Sequence, residues 1–295
     1  MIRSSLVLVL CSLGVIDGAG RPNILFAISD DQSWMHASAY GDKGTRTPAF
    51  DRIAEEGILF THAYASCPSC MPSRTSILTG RNMWETGPGG NLMGTLKADY
   101  AIFSLLLEQS GYQLGATGKT WGPGKLEGFT PAVGKTLPLR SYSSIQTEAI
   151  LGESFHRRTL KERRPGMSNL DYAANFEDFL AERDKDKPFF FWYGSNEPHQ
   201  GFEEGAWKKA GKNLADALVP GSLPDDPVVR GEFLDYALEI EHFDRHLGRM
   251  IELLVRENLL ESTLIVVTSD HGNPMPRSKC NLYDSGTRVP LAIRF

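Results

Sequence analysis

A thiol, a hydroxyl and a guanidinium fall within five residues at Cys70-Met-Pro-Ser-Arg74, and a second thiol, Cys67, stands three residues earlier. Cys67-Pro-Ser-Cys70 has the C-x-x-C spacing of a redox pair or half a metal site, while Cys70 alone could be a nucleophile. The short helical run Arg74–Thr79, closed by Gly80, puts Cys70 at or just ahead of a helix N-terminus. Backbone N–H groups and the helix dipole favour anions there. Arg74 adds a planar cation one turn on. Locally this is an anion site with a reactive group, and the reaction stays open.

Further chemistry-bearing residues each follow a short apolar run. Asp30-Asp31 follow Asn23–Ser29, Asp270-His271-Gly272 follow Thr263–Ser269, Gly118-Lys119 follow Gln113–Thr117, and Asn196-Glu-Pro-His199 follow Pro188–Ser195. Three carboxylates gathered together cannot all ionise without a cation, and a hard divalent ion such as Ca²⁺ or Mg²⁺ is the simplest compensation. His271 also suits Zn²⁺ and Mn²⁺. Taken alone, Asp30-Asp31 would read as a helix cap and turn; the matching Asp270 favours a metal. Lys119 reads as a cation aimed at an anionic substrate. A nucleotide phosphate loop is excluded, because the glycine it needs five residues before Gly118 is Gln113.

The elements that must position these residues alternate. Apolar runs at 23–29, 113–117, 188–194, 263–268 and 289–294 predict buried strands. Between them, Thr47 and Pro48 predict a helix start, with Gly57 past its end, and 101–109 and 171–182 predict further helices. The longest helix is predicted over 229–257, where Phe233, Ala237, Ile240, Phe243, Leu247, Ile251 and Leu254 make one stripe. The stretch 122–167 reads as irregular, rich in Gly and Pro. Such alternation implies an α/β fold whose mainly parallel sheet is covered on both faces. In such sheets ligands bind beyond the carboxyl ends of the strands, so the four polar strand ends predict one site.

Of the 295 residues 41% are hydrophobic and 23% charged, enough for a packed core. The net charge of −5 argues against a nucleic-acid partner held by global electrostatics. Arg3, an apolar run over 5–16 and the small residues 18–20 predict a signal peptide over 1–20 and therefore export. No later segment is apolar enough for a membrane span. Export leaves Cys67, Cys70 and Cys280, an odd count, so one thiol is unpaired or chemically committed. Cys67 could pair with Cys70 or with Cys280.

Together these motifs resemble the type I sulfatases of the alkaline phosphatase superfamily, over nearly all of 21–295. The family signature C-x-P-S-R stands here as Cys70-Met71-Pro72-Ser73-Arg74, continued by T-S-I-L-T-G, and 48–57 looks like the family's first helix. The resemblance implies formylglycine at Cys70, made by a separate maturation enzyme. It implies a calcium site of Asp30, Asp31, Asp270 and His271 with the modified Cys70. It further implies Arg74 and Lys119 as cations on the sulfate, His199 as a contact or general acid, and Lys279 as a further basic residue. One departure is Trp121, where the family usually has histidine two residues past the lysine; Trp121 could stack on a sugar or simply pack.

The stretches Asn281–Arg288 and Asn196–His199 look most like the sulfamidase branch, which cleaves N-sulfoglucosamine of heparan sulfate. The implied substrate is a sulfated carbohydrate, and the basic run His156–Arg164 could grip a polyanion, although such runs are more often solvated faces. Family members continue into a smaller C-terminal subdomain, so 21–295 is expected to be the catalytic part, incomplete at its C-terminus, with uncovered apolar surface and reduced stability. Other readings are a phosphoester or phosphonate hydrolase on the same fold, a thiol–disulfide protein, and an inactive sulfoglycan-binding homologue.

Overall fold

A computed structural model describes residues 20–129, 144–162 and 164–295; the expected signal segment lies outside them except for Gly20. Seven strands form the main sheet: β1 Asn23–Ser29, β2 Ile58–Leu59, β3 Gln113–Gly118, β4 Glu153–Ser154, β5 Phe189–Gly194, β6 Thr263–Ser269 and β7 Leu291–Arg294. Their spatial order is β2-β7-β6-β1-β5-β3-β4. Pairings from β6 across to β4 are parallel, and β7 runs antiparallel to both β6 and β2. The sheet is therefore mainly parallel, as the strand–helix alternation requires, with an antiparallel edge. The predicted strand 289–294 is interrupted at Pro290, whose missing N–H cannot join a ladder. Its first residue, Val289, instead joins Arg288 in a two-residue strand that pairs with Ala63–Tyr64.

Helices cover the two faces. Against one lie α1 Pro48–Glu56, α5 Tyr172–Glu182 and the long α6 Pro227–Arg256. Against the other lie α2 Cys70–Thr79, α3 Phe103–Gln109 and α4 Ser144–Leu151. Strand side chains alternate between the layers: Phe189, Phe191 and Tyr193 enter the first core, Phe190 and Trp192 the second. The second layer is thinner. Ile24, Phe26, Leu264, Val266, Leu291 and Ile293 are only half-buried, so coverage of both faces is incomplete.

Local chemistry sets the helix ends. Asp226 and Asp171 accept backbone N–H bonds at the starts of α6 and α5. Thr47 stands at the cap of α1 as expected, yet its side chain makes no cap bond. The carboxylate of Asp244, from α6, accepts from Ala49 and Phe50 N–H instead, at 3.0 and 2.8 Å. The described part of the stretch read as irregular holds three elements: α4, β4 and a short strand Lys125–Glu127.

Candidate active site and metal cradle

Strand register builds the site. Ser29 lies opposite Ser269 and Gly118 opposite Gly194, so the residues that follow β1, β6, β3 and β5 emerge along one edge. Asp270 N–H donates to Ser29 O, Asp30 N–H to Glu197 O and Lys119 N–H to Gly194 O, which continues the ladder past the strands. Gly118, at φ +78°, must be glycine, because a Cβ there would overlap the Gly194 carbonyl. That close approach lets Lys119 turn across the sheet edge.

Cys70 is the first residue of α2 and is 4% exposed. Its Sγ lies 3.4 Å from His271 Nε2 and 3.9 Å from Asp31 Oδ1. Asp30, Asp31, Cys70, Asp270 and His271, all buried, each present a ligand atom within 4.8 Å of the others. The predicted metal set, drawn from three separate parts of the chain, is thus brought together.

The predicted cations brace this cradle. Arg74 Nε donates to Asp270 Oδ2 at 2.9 Å, and its Nη1 to the carbonyls of Lys119 and Thr120. Lys119 Nζ bonds Asp30 Oδ2, and Lys279 Nζ bonds both oxygens of Asp31, at 3.0 and 2.7 Å. His199 stands apart: it is half-exposed at the mouth, its Nε2 3.9 Å from Asp31 Oδ2.

The same cations split the acids. Burial pushes Asp30 up to about 6, with Lys119 opposing and Asp270 and Asp31 adding to the rise. Burial acts likewise on Asp31, but His271 and Lys279 outweigh it and hold it at about 2. Asp270 lies well below the usual carboxylate range, because His271, Arg74 and Lys119 outweigh its burial. His271 lies well above the usual imidazole range, since Asp270 and Asp31 outweigh its own burial. The donor set fits a divalent cation: Asp30 Oδ1 is buried with no hydrogen-bond partner, and three carboxylates with one imidazole suit a hard ion.

Further residues support the cradle in roles the sequence did not reveal. Tyr236 Oη donates to Asp31 O and accepts from Ser33 N–H, so α6 fixes the backbone of the cradle. Buried Glu197 accepts from Ser168 N–H, Tyr172 Oη and Ser195 Oγ, which anchors the loop bearing His199. Ser73 Oγ bonds Asp270 O. Trp121 is 1% exposed and donates to Thr75 Oγ1 at 2.8 Å, so it packs against α2 and does not stack on a sugar. Arg157 pairs with Glu153 and Glu182, and Arg158 with Asp178, which turns much of the basic run into surface ion pairs.

Residues 22–295 match the protein family described as Sulfatase. N-sulphoglucosamine sulphohydrolase of Homo sapiens is 28% identical over 317 aligned residues, covering 96% of this chain and 57% of the relative. N-acetylglucosamine-6-O-sulfatase of Bacteroides thetaiotaomicron is 31% identical, covering 82% of this chain and 42% of the relative. A structure solved in complex with its substrate D-glucosamine-2-N,6-O-disulfate superposes with a TM-score of 0.67 at 22% identity, over 93% of this chain and 71% of that one. The chain spans about half the length of the curated relatives it matches.

Proposed function

The chain belongs to the sulfatase family, and we propose that it hydrolyses sulfate esters or sulfamates of sulfated carbohydrates. The observation that carries this reading is the meeting of Asp30, Asp31, Asp270 and His271 with Cys70 Sγ within 4.8 Å. The relatives named for N-sulphoglucosamine and N-acetylglucosamine-6-O-sulfate chemistry favour an amino-sugar substrate.

In this reading Cys70 is converted to formylglycine by a maturation enzyme, and its Sγ marks where the nucleophilic oxygen sits. Asp30, Asp31, Asp270 and His271 would hold Ca²⁺, or Mg²⁺ in its place, and His271 would have to give up its proton to ligate. The bound ion supplies Lewis-acid activation of the nucleophile and charge neutralisation. Arg74 and Lys119, already fixed by Asp270 and Asp30, orient the sulfate oxygens and stabilise charge as it develops. Formylglycine at position 70 would supply the oxygen nucleophile for sulfur and the means of releasing the sulfate, as the bond from sulfur to the sugar oxygen or nitrogen is broken. His199, at the mouth, protonates the departing group. Lys279 keeps Asp31 ionised beside the nucleophile.

No described helix is long and apolar enough to cross a membrane. We place the working protein in an exported compartment, with 1–20 as leader and 21–295 as catalytic domain. The test is the mass of the tryptic peptide bearing Cys70, paired with hydrolysis of N-sulfoglucosamine and aryl sulfate against aryl phosphate. Conversion of Cys70 and a preference for sulfate are expected. An unconverted cysteine in a protein that hydrolyses sulfate at full rate, or a preference for phosphate, would overturn the proposal.

A further inference from the structure

Cys67, Cys70 and Cys280 are all free thiols, and the C-x-x-C spacing invites a Cys67–Cys70 bridge. The geometry points elsewhere. Cys70 is turned into the cradle, its sulfur against His271 and Asp31. Cys67 is half-buried on the loop ahead of α2, and Cys280 is exposed on the loop after Asp270-His271.

Those two loops run side by side. Ala63 and Tyr64 pair with Val289 and Arg288 in an antiparallel ladder, and Ala65 N–H donates to Thr287 O at 2.7 Å. Further along, Cys280 N–H donates to Pro68 O at 2.8 Å. A backbone bond of this kind holds neighbouring chains roughly 5 Å apart, and Cys67 is the residue directly before Pro68, so the two cysteines stand on adjoining stretches of backbone. Burial raises the Cys67 thiol; His271 opposes the rise and the neighbouring Cys280 adds to it.

We propose that Cys67 and Cys280 form a disulfide under oxidising conditions, tying the loop ahead of the nucleophile helix to the loop that carries Lys279. With glutathione disulfide as oxidant, the exposed Cys280 thiolate attacks one glutathione sulfur and expels a glutathione thiolate. Cys67 thiolate then attacks the Cys280 sulfur of the mixed disulfide and expels the second. Two protein thiols are oxidised, one glutathione disulfide is reduced to two thiols, and the two protons shed by Cys67 and Cys280 are taken up by the expelled glutathione thiolates. The bridge stands beside Lys279, whose Nζ is 2.7 Å from Asp31, and three residues ahead of Cys70. It resolves the odd cysteine count, and in the reading above it leaves Cys70 as the thiol open to conversion.

The full chain is equilibrated in a mixture of reduced and oxidised glutathione, its remaining thiols are alkylated, and it is digested with trypsin without reduction. Peptide 53–74, which carries Cys67 and Cys70, should appear joined to peptide 280–288. The link should persist in Cys70→Ser and vanish in Cys67→Ser and in Cys280→Ser. The Cys70→Ser arm decides the matter even if either other variant fails to fold. A bridge inside 53–74, or alkylation of both Cys67 and Cys280 in the oxidising mixture, overturns the proposal. The chemical state of Cys70 is read separately in the wild-type digest, so loss of the bridge and loss of the sulfatase reading are distinguishable.

Discussion

Beneath α5, Phe176, Phe179, Phe189 and Phe191 are buried against one another, with ring centroids 4.7 to 6.3 Å apart. At the carboxyl end of the same sheet, Asp30, Asp31, Asp270, Arg74 and Lys119 are buried by mutual charge. The aromatic layer gains from leaving water, and any filler of similar shape would serve it. The charged edge sheds water at a cost that its ion pairs only partly return. Asp30, raised to about 6 beside two cations, shows that cost directly. One region therefore holds the fold, and the other draws on the stability the first supplies.

Substitutions should separate the two. The largest effect belongs to the edge: Cys70→Ala should lower kcat/KM by about 10⁴-fold or more, as loss of a nucleophile does. Its urea midpoint should stay near that of the parent, and retained turnover would remove Cys70 from the reaction. In the aromatic layer, Phe191→Ala should cost about 3–5 kcal/mol in a urea melt while the folded fraction keeps its rate. A rate loss without a stability loss would contradict the division.

Removing the divalent cation should strike both properties. Chelation should abolish turnover and lower stability by about 3 kcal/mol relative to a metal concentration one hundred times Kd. Calcium or magnesium should restore both, and a melt indifferent to chelation would argue against a metal in the cradle.

The smallest effect is one of pH, inside the apolar layer. His246 is buried, accepts from Ala173 N–H, and faces Asp171, Arg249, His242 and Tyr172. Burial, with His242 and Arg249 adding, pulls it down to about 3, so it is neutral when folded. A lowered imidazole leaves the unfolded chain binding more protons, so its contribution is present above about 6.5 and lost as pH falls toward 3. Between pH 6.5 and 5 the loss is about 2 kcal/mol. Urea melts across that range should show it, and His246→Gln should flatten the slope.

Much of this organisation was legible because burial and chemistry left plain marks on short stretches. Phe189–Gly194 is apolar throughout since both its faces are covered, and Pro48 and Gly57 punctuate α1. The acids were readable because each stands just past such a run. Tyr236 was not, since its partner Asp31 is 205 residues away and its position on α6 matches any buried aromatic. Glu197 looked like part of a loop motif until its three donors were seen. The helix 144–151 was hidden in a stretch rich in glycine and proline, and Trp121 gave no sign of whether it faced solvent or α2.

The cradle also has a schedule. Cys70 and Asp270 are separated by about 200 residues, which a ribosome adding roughly 5–20 residues per second takes about 10–40 s to make. During that interval β6 does not yet exist, and nothing can cover Cys70 from the side of Asp270 and His271. Once β6 pairs with β1, the sulfur is 4% exposed. Under the proposed conversion of Cys70, its maturation enzyme would therefore have to work on the nascent or still-open chain, and a slower decoding rate between these two points would lengthen its opportunity.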